Sequence, residues 1–391
     1  MDLGERIARR RSARQNGRVI VDRDYLSPVV HRPEPVGRGP VLEQLLDALE
    51  PVFDGELPPP VAVVGPPGSG TSAIVTALFD ALNDQFGGSN RAIGTTTRAG
   101  SADPVTWFVV VDGRQVESPF AFYRAVLDGI SSDRIPESGV GTEELRERLC
   151  DRLARPDRRA VVAIDHHDEP ETLGADRIRE LLEPVADSVA TVTVGQREPA
   201  DQQGPTVTVP AYRDHELVDV ITDRASNGLA AGALDHGDVR DLAAWADGNA
   251  HDALAALFGA AILATEDGAD RIEPVHLEAA RADVPADGVH VGRPLALPET
   301  RQRVLVTLSG IDAADRPIRE IAAEIADRSS LTAGTVKRFL YELADEGIIE
   351  RVPLPTDGTG GRQPSTVEPR FPTIAFRSLT ATAVTDGDGG T

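Results

Sequence analysis

Val61–Ser72 reads VAVVGPPGSGTS, four apolar residues running into a glycine-rich turn, and Ala73–Leu82 then follows with helical spacing. Strand, glycine-rich turn and helix in that order form the context a phosphate-binding loop requires. Such a loop works because glycines let successive backbone N–H groups converge on phosphate oxygens at a helix N-terminus. Gly65, Gly68 and Gly70 stand where the pattern G-x-x-x-x-G-K-[ST] places its turn, with Ser69 between the last two. Ser72 takes the magnesium-ligand position, but the lysine position is Thr71. The point charge that would meet the β- and γ-phosphates is therefore missing. Two readings of the loop stand at this point: an anion nest, or a Gly/Pro turn that binds nothing.

Upstream, Val41–Phe53 carries Leu42, Leu45, Leu46 and Leu49 at helical spacing, and Pro58–Pro60 breaks the chain before the strand. Downstream, apolar runs recur at Trp107–Val111, Ala160–Ile164, Val189–Val194 and Val207–Val209, with helices expected at Pro119–Ile130 and Glu143–Ala154. Apolar strands alternating with helices predict a parallel sheet covered on both faces. Asp165 ends its strand where the acid that holds magnesium through water belongs. The position beside it, where a glutamate would orient an attacking water, is His166. Gln196 or Arg197 follows the fourth strand, where a γ-phosphate sensor is expected. His166 and His167 do not read as metal ligands, because adjacent side chains diverge and no third ligand lies at a metal-binding spacing.

Asp214–Ala282 is helical throughout, with segments Glu216–Arg224, Asp238–Ala246, His251–Thr265 and Pro274–Arg281. Helices at Glu299–Leu308, Ile318–Ala326 and Thr332–Glu346 follow. An extended Ile348–Leu354, the tip Asp357–Gly361 and a second extended stretch ending near Phe376 complete a winged-helix order. In the third of these helices Val336, Phe339, Leu340 and Leu343 share one face. Thr332, Thr335, Lys337, Arg338 and Tyr341 lie away from it, as candidate contacts to double-stranded DNA. Arg362 on the wing tip joins them. A winged helix used for protein contacts is the competing reading.

Composition sets the frame. The 391 residues hold 63 acidic against 40 basic groups, a net charge of −23, and Lys337 is the one lysine; aromatics are 4%. Acid-rich, lysine-poor surfaces keep proteins apart where salt screens charge over about 3 Å, so the balance points to a salt-loving cytoplasm rather than to a partner. Residues 1–24 carry +3 and residues 295–380 carry −1, against −23 for residues 25–294. Relief of acidity at both ends is what phosphate-facing surfaces need, although the Arg9–Arg11 run also reads as a solvated tail. The single Cys150 excludes an internal disulfide framework. No apolar stretch reaches membrane-spanning length, and no leader is visible.

With these residues in place, the chain resembles the archaeal origin-recognition and replication-initiator proteins, a branch of the AAA+ ATPases. The resemblance spans roughly residues 25–378. It is carried by PVGRGPVLEQLLDALEPVFDGELPP (Pro35–Pro59), FVVVDGR (Phe108–Arg114), YRDHELVDVITDRASNGL (Tyr212–Leu229) and GNAHDALAALFGAAILA (Gly248–Ala264). It implies an α/β P-loop (AAA+) core with a parallel sheet, an all-α lid and a C-terminal winged helix-turn-helix. The implied divisions are a disordered basic tail (1–24), the P-loop domain (25–210), the lid (211–284), a linker (285–298), the winged helix (299–378) and a disordered tail (379–391). The implied nucleotide-binding residues are Gly65, Gly68, Ser69, Gly70, Thr71, Ser72, Asp165 and Gln196, with His251 at the lid position where the family has arginine. The implied partners are double-stranded DNA, the chain itself or intact initiator paralogues, and no membrane.

The departures are systematic: Thr71 for lysine, His166 for glutamate, His251 for arginine, and a shortened REPADQQGPT (Arg197–Thr206) that leaves Arg197 alone where the family carries an arginine finger. Four losses that serve one reaction imply that hydrolysis is no longer selected. ATP or ADP with magnesium is expected as a weak ligand or none. The expected function is a DNA-binding initiator-like protein; the alternative is a winged-helix transcriptional or accessory regulator that uses an inactive AAA+ core as an assembly scaffold.

Overall fold

The structure, a computed structural model, describes residues 18–87, 105–131, 135–136, 139–355 and 363–387. The chain forms two compact units: residues 31–212, and residues 213–391 together with the N-terminal segment up to Val30.

In the first unit, helix α1 (Gly39–Ala48) precedes strand β1 (Val61–Val64) and helix α2 (Thr71–Gly87). Then come β2 (Val105–Asp112), α3 (Pro119–Ile130), α4 (Thr142–Leu153), β3 (Arg158–Asp165), α5 (Gly174–Leu182), β4 (Val189–Gly195) and β5 (Thr206–Thr208). The expected helix Val41–Phe53 is divided: α1 ends at Ala48 and Glu50–Asp54 is a 3-10 turn. Pro51 explains this, since it has no N–H to donate to the carbonyl of Asp47 and its ring would clash with it. All strand pairings are parallel, in the order β2-β3-β4-β1-β5. Both faces are buried, one by Phe122, Val126 and Leu149, the other by Leu45, Ile74 and Phe79. That is why these strands are continuous apolar runs instead of alternating ones.

In the second unit, α6 (Asp214–Gly228), α7 (His236–Trp245), α8 (Ala250–Glu266) and α9 (Pro274–Ala282) form the helical layer. Helix α8 is buried almost all round, from Ala250 to Ala264, as its Ala-rich sequence requires. Helices α10 (Glu299–Leu308), α11 (Ile318–Asp327) and α12 (Ala333–Asp345) follow, then the antiparallel ribbon of β6 (Ile349–Pro353) and β7 (Ser365–Pro369), and a last helix, α13 (Thr373–Gly387).

Three expectations need correction. Residues 18–30, divided in the sequence reading between a tail and the P-loop domain, pack with the helical layer. Ile20 bridges to Leu229, and buried Arg224 donates to the carbonyls of Tyr25 (3.1 Å), Ser27 (3.4 Å) and Val30 (2.9 Å). The stretch 285–298 is bonded rather than free: Val289 N–H donates to Arg370 O at 2.6 Å, and Gly292–Ala296 is a turn of helix. Phe376 belongs to α13 and not to a strand, and residues 379–387 are helical. Their β-branched Thr and Val residues weaken the intrinsic helical signal. The helix is held by tertiary contacts: Asp283 accepts from Ile374 N–H at 2.8 Å and from Thr373 Oγ1, and Phe376 packs edge-on against Phe371 at 4.9 Å.

Candidate nucleotide site and nucleic-acid interface

The carboxyl ends of the sheet strands form one row, because Val64 pairs with Gly195 and Asp165 with Val194. In open parallel sheets this edge is where ligands bind. The loop Gly65–Gly70 opens directly into α2, with Gly68 (φ 70°) and Gly70 (φ 87°) in the left-handed region that glycine alone adopts without strain. Gly65 admits no side chain, since a Cβ there would lie 2.5 Å from Ser69 Oγ and 2.6 Å from Val209 O. Thr71 turns its Cγ2 methyl back toward the same point (3.1 Å), so it presents no charge to the loop. Ser69 is fully buried and its hydroxyl has no hydrogen-bond partner among the described residues.

The loop has a cation, but it lies underneath. Arg38, 1% exposed, donates from Nε to Ser69 O (3.0 Å) and from Nη2 to Pro210 O (2.9 Å). Its guanidinium stacks on Tyr212 at 3.4 Å from the ring centroid, and the Tyr212 hydroxyl lies 3.0 Å from where a Cβ on Gly70 would stand. Sequence reading did not single out Arg38; its partners are 31 and 172 positions away, beyond any local pattern.

At the end of β3, Asp165 Oδ1 accepts from the His166 N–H at 2.9 Å, and Asp165 Oδ2 faces His166 Nε2 at 3.4 Å. His166 Nδ1 lies 3.0 Å from Glu169 Oε1. Burial lowers the affinity of His166 for a proton, but the Asp165 and Glu169 carboxylates outweigh it and the pKa is raised. Arg114 binds Asp112, the register neighbour of Asp165, through both carboxylate oxygens (2.9 and 3.0 Å). Burial by itself would raise the Asp112 carboxyl, but Arg114 holds it below the usual range. After β4, the N–H groups of Gln196 (3.0 Å) and Arg197 (2.9 Å) both donate to Asp168, whose carboxylate occupies the space left by Gly195. The Gln196 side chain is exposed, and Arg197 donates to Asp168 O.

His251, in the second unit, is 6% exposed. Its Nε2 accepts from Val291 N–H at 3.1 Å, its Nδ1 faces Asp252 at 3.1 Å, and its ring stacks on His290 at 3.5 Å. With one nitrogen accepting and the other beside a carboxylate, the ring is a packing and hydrogen-bonding element of the helical layer.

On α12, Val336, Leu340 and Leu343 are buried, while Phe339 is half-buried beneath Arg301 and Arg338. Thr332 caps the helix: its Oγ1 accepts from Thr335 N–H at 3.2 Å and pairs with Thr335 Oγ1 at 2.9 Å. Lys337 Nζ lies 5.9 Å from the Tyr341 centroid, and Arg351 of β6 lies 5.3 Å from the same ring. Arg338 is 66% exposed and has only a loose contact with Glu342 at 3.7 Å. Arg351, which the sequence reading did not select, joins this face through the ribbon. Arg362 and the Arg9–Arg11 run lie outside the described residues.

Residues 34–194 match the AAA ATPase domain family. Over 338 residues the chain is 26% identical to ORC1-type DNA replication protein 1 of Aeropyrum pernix, covering 79% of this chain and 82% of that protein. The chain thus carries an AAA ATPase domain and is similar to archaeal ORC1-type proteins. The solved Aeropyrum pernix ORC1 protein in complex with DNA superposes with a TM-score of 0.62 at 22% identity, over 95% of this chain and 98% of that one. The Aeropyrum pernix ORC2 protein, in ADPNP–ADP complexes, gives 0.54 at 15% identity over 95% and 100%. These likenesses establish the fold of an α/β AAA+ core followed by a helical layer; α10–α12 and then the β6–β7 ribbon stand in winged-helix order. Among the described residues, no helix is long and apolar enough to cross a membrane.

AAA+ ancestry implies a magnesium ion held with the nucleotide. The residues present do not fit one: Ser72 keeps the hydroxyl at the magnesium-ligand position, but the Asp165 carboxylate is covered by His166, and no group of three His, Cys, Asp or Glu among the described residues is arranged to hold a metal.

Proposed function

We propose that this chain is an initiator-like protein that binds double-stranded DNA through α12 and the β6–β7 ribbon, in DNA replication initiation or its regulation. Its AAA+ core acts as a scaffold that does not hydrolyse ATP. The observation that carries this reading is the face formed by Lys337, Arg338, Tyr341 and Arg351. In a chain with one lysine and a net charge of −23, that lysine and two arginines stand together on an exposed, capped helix and its adjoining strand. Phosphate contacts position such a helix, and base edges are read by its side chains. The complex of the Aeropyrum pernix ORC1 protein with DNA supports the partner class.

The core reading rests on Thr71 and His166. Positive charge stabilises the phosphoryl-transfer transition state, and the loop offers none where it is needed. ATP or ADP, held by the N–H groups of Gly68, Gly70, Thr71 and Ser72, is then a weak structural ligand. Assembly with itself or with intact initiator paralogues in a salt-rich cytoplasm completes the proposal; a partner cannot replace the loop lysine, which acts in cis.

Fluorescence anisotropy with labelled duplex at high salt tests the reading. Wild type holds the duplex, and Lys337→Ala/Arg338→Ala weakens it by about 10–100-fold, with the salt slope reduced by about 2. Equal binding by both proteins would remove the assignment. A steady-state ATPase rate matching an intact initiator would refute the inactive core.

A further inference from the structure

His166 has a left-handed backbone, φ 58°, which for a non-glycine residue costs on the order of 1–3 kcal/mol and persists only where its surroundings enforce it. What enforces it is the ring: one nitrogen faces Asp165 Oδ2 at 3.4 Å and the other Glu169 Oε1 at 3.0 Å, with its own N–H donated to Asp165 Oδ1 at 2.9 Å. Next to this cluster, Arg114 holds Asp112, so the three carboxylates at the ends of β2 and β3 are met by two basic side chains of the chain itself. The Asp165 side chain is only 9% exposed. Both Asp165 carboxylate oxygens face groups of His166, so neither is turned toward a hydrated cation.

We infer that His166 is the resident partner of Asp165, standing where the shell of a divalent cation would be, so that any phosphate chain taken up on Gly65–Ser72 is taken up without metal. The metal-free part of this rests on the reading of the loop as a nucleotide site; the exclusion of metal by His166 does not. His166 acts by occupancy, and neither Asp165 nor Glu169 is vacant for an ion while the ring stays in place.

Mn2+ electron paramagnetic resonance on the full chain tests the exclusion, first without nucleotide. Wild type leaves the free-ion signal unchanged. His166→Gly, which suits the left-handed backbone, gains a bound Mn2+; should that variant fail to fold by circular dichroism, His166→Asn, which also tolerates this backbone, carries the test. Mn2+ bound by wild type, or no gain in either folded variant, overturns the inference. Calorimetry with ADP then tests the metal-free uptake: affinity in EDTA and in Mg2+ agrees within about twofold, whereas about tenfold tightening by Mg2+ overturns it. No ADP binding under either condition defeats the nucleotide reading alone and leaves the Mn2+ result to decide the role of His166.

Discussion

The phosphate loop with its neighbours and the α12 face use charge in opposite ways. At the sheet edge, Arg38 is turned inward to Ser69 and Pro210, Arg114 to Asp112, and His166 to Asp165 and Glu169. The N–H groups of Gln196 and Arg197 are taken by Asp168. On α12 and β6, Lys337, Arg338 and Arg351 keep their charges at the surface, propped on Tyr341 and Phe339 rather than matched tightly by carboxylates. Groups already paired inside a fold stabilise that fold, and groups held outward against an aromatic ring remain available to a ligand. The first region has the form of a ligand site with its polar groups turned to self-support; the second keeps its positive charges at the surface.

Changes on either side separate the two roles. Arg38→Ala removes two hydrogen bonds from a buried charged group and a ring contact, and should lower stability by about 2–4 kcal/mol, read as the shift of the denaturant midpoint at constant slope. Duplex affinity per folded molecule should be unchanged; a parallel loss of DNA binding would mean that the two regions are not independent. Arg351→Ala should lower duplex affinity by about 1 kcal/mol and the salt slope by about 1, with little change in melting temperature, and a null result would place this arginine outside the interface. Gly70→Ala, forced to keep φ 87° beside Tyr212, should cost about 1–2 kcal/mol in the same denaturation assay. Thr332→Ala removes the α12 cap at a cost of about 1 kcal/mol. It should weaken duplex binding only through fraying at the helix start, which hydrogen exchange of Thr335 and its neighbours would report.

Local pattern and tertiary contact divided the legibility of this chain cleanly. The buried strands were readable because a sheet covered on both faces demands unbroken apolar runs, as in Ala160–Ile164. Helix α12 was readable because Val336, Leu340 and Leu343 recur at its period. Phe339 was placed on that buried face too, but it stays half-exposed and serves instead as a platform for Arg301 and Arg338. Helix α13 is not legible locally because its β-branched Thr, Ile and Val residues lower helix propensity, and its start depends on Asp283, 90 positions away from Thr373. Arg38 and the docking of residues 18–30 through Arg224 carry no local signal either, because their partners lie far along the chain.

The amino-acid order alone determined that a strand–glycine loop–helix unit exists at Val61–Leu82, that its lysine is absent, and that one lysine sits on a helix near the C-terminus. These are facts of composition and period, and no fold is needed to state them. That Asp165 meets the ring of His166, that His251 is packed, and which arginine shares a ring with Lys337 were decided only by tertiary structure. Those answers depend on side chains brought within 3–6 Å of each other across the fold or by a tight turn's φ, and neither is encoded in the spacing of residues along the chain.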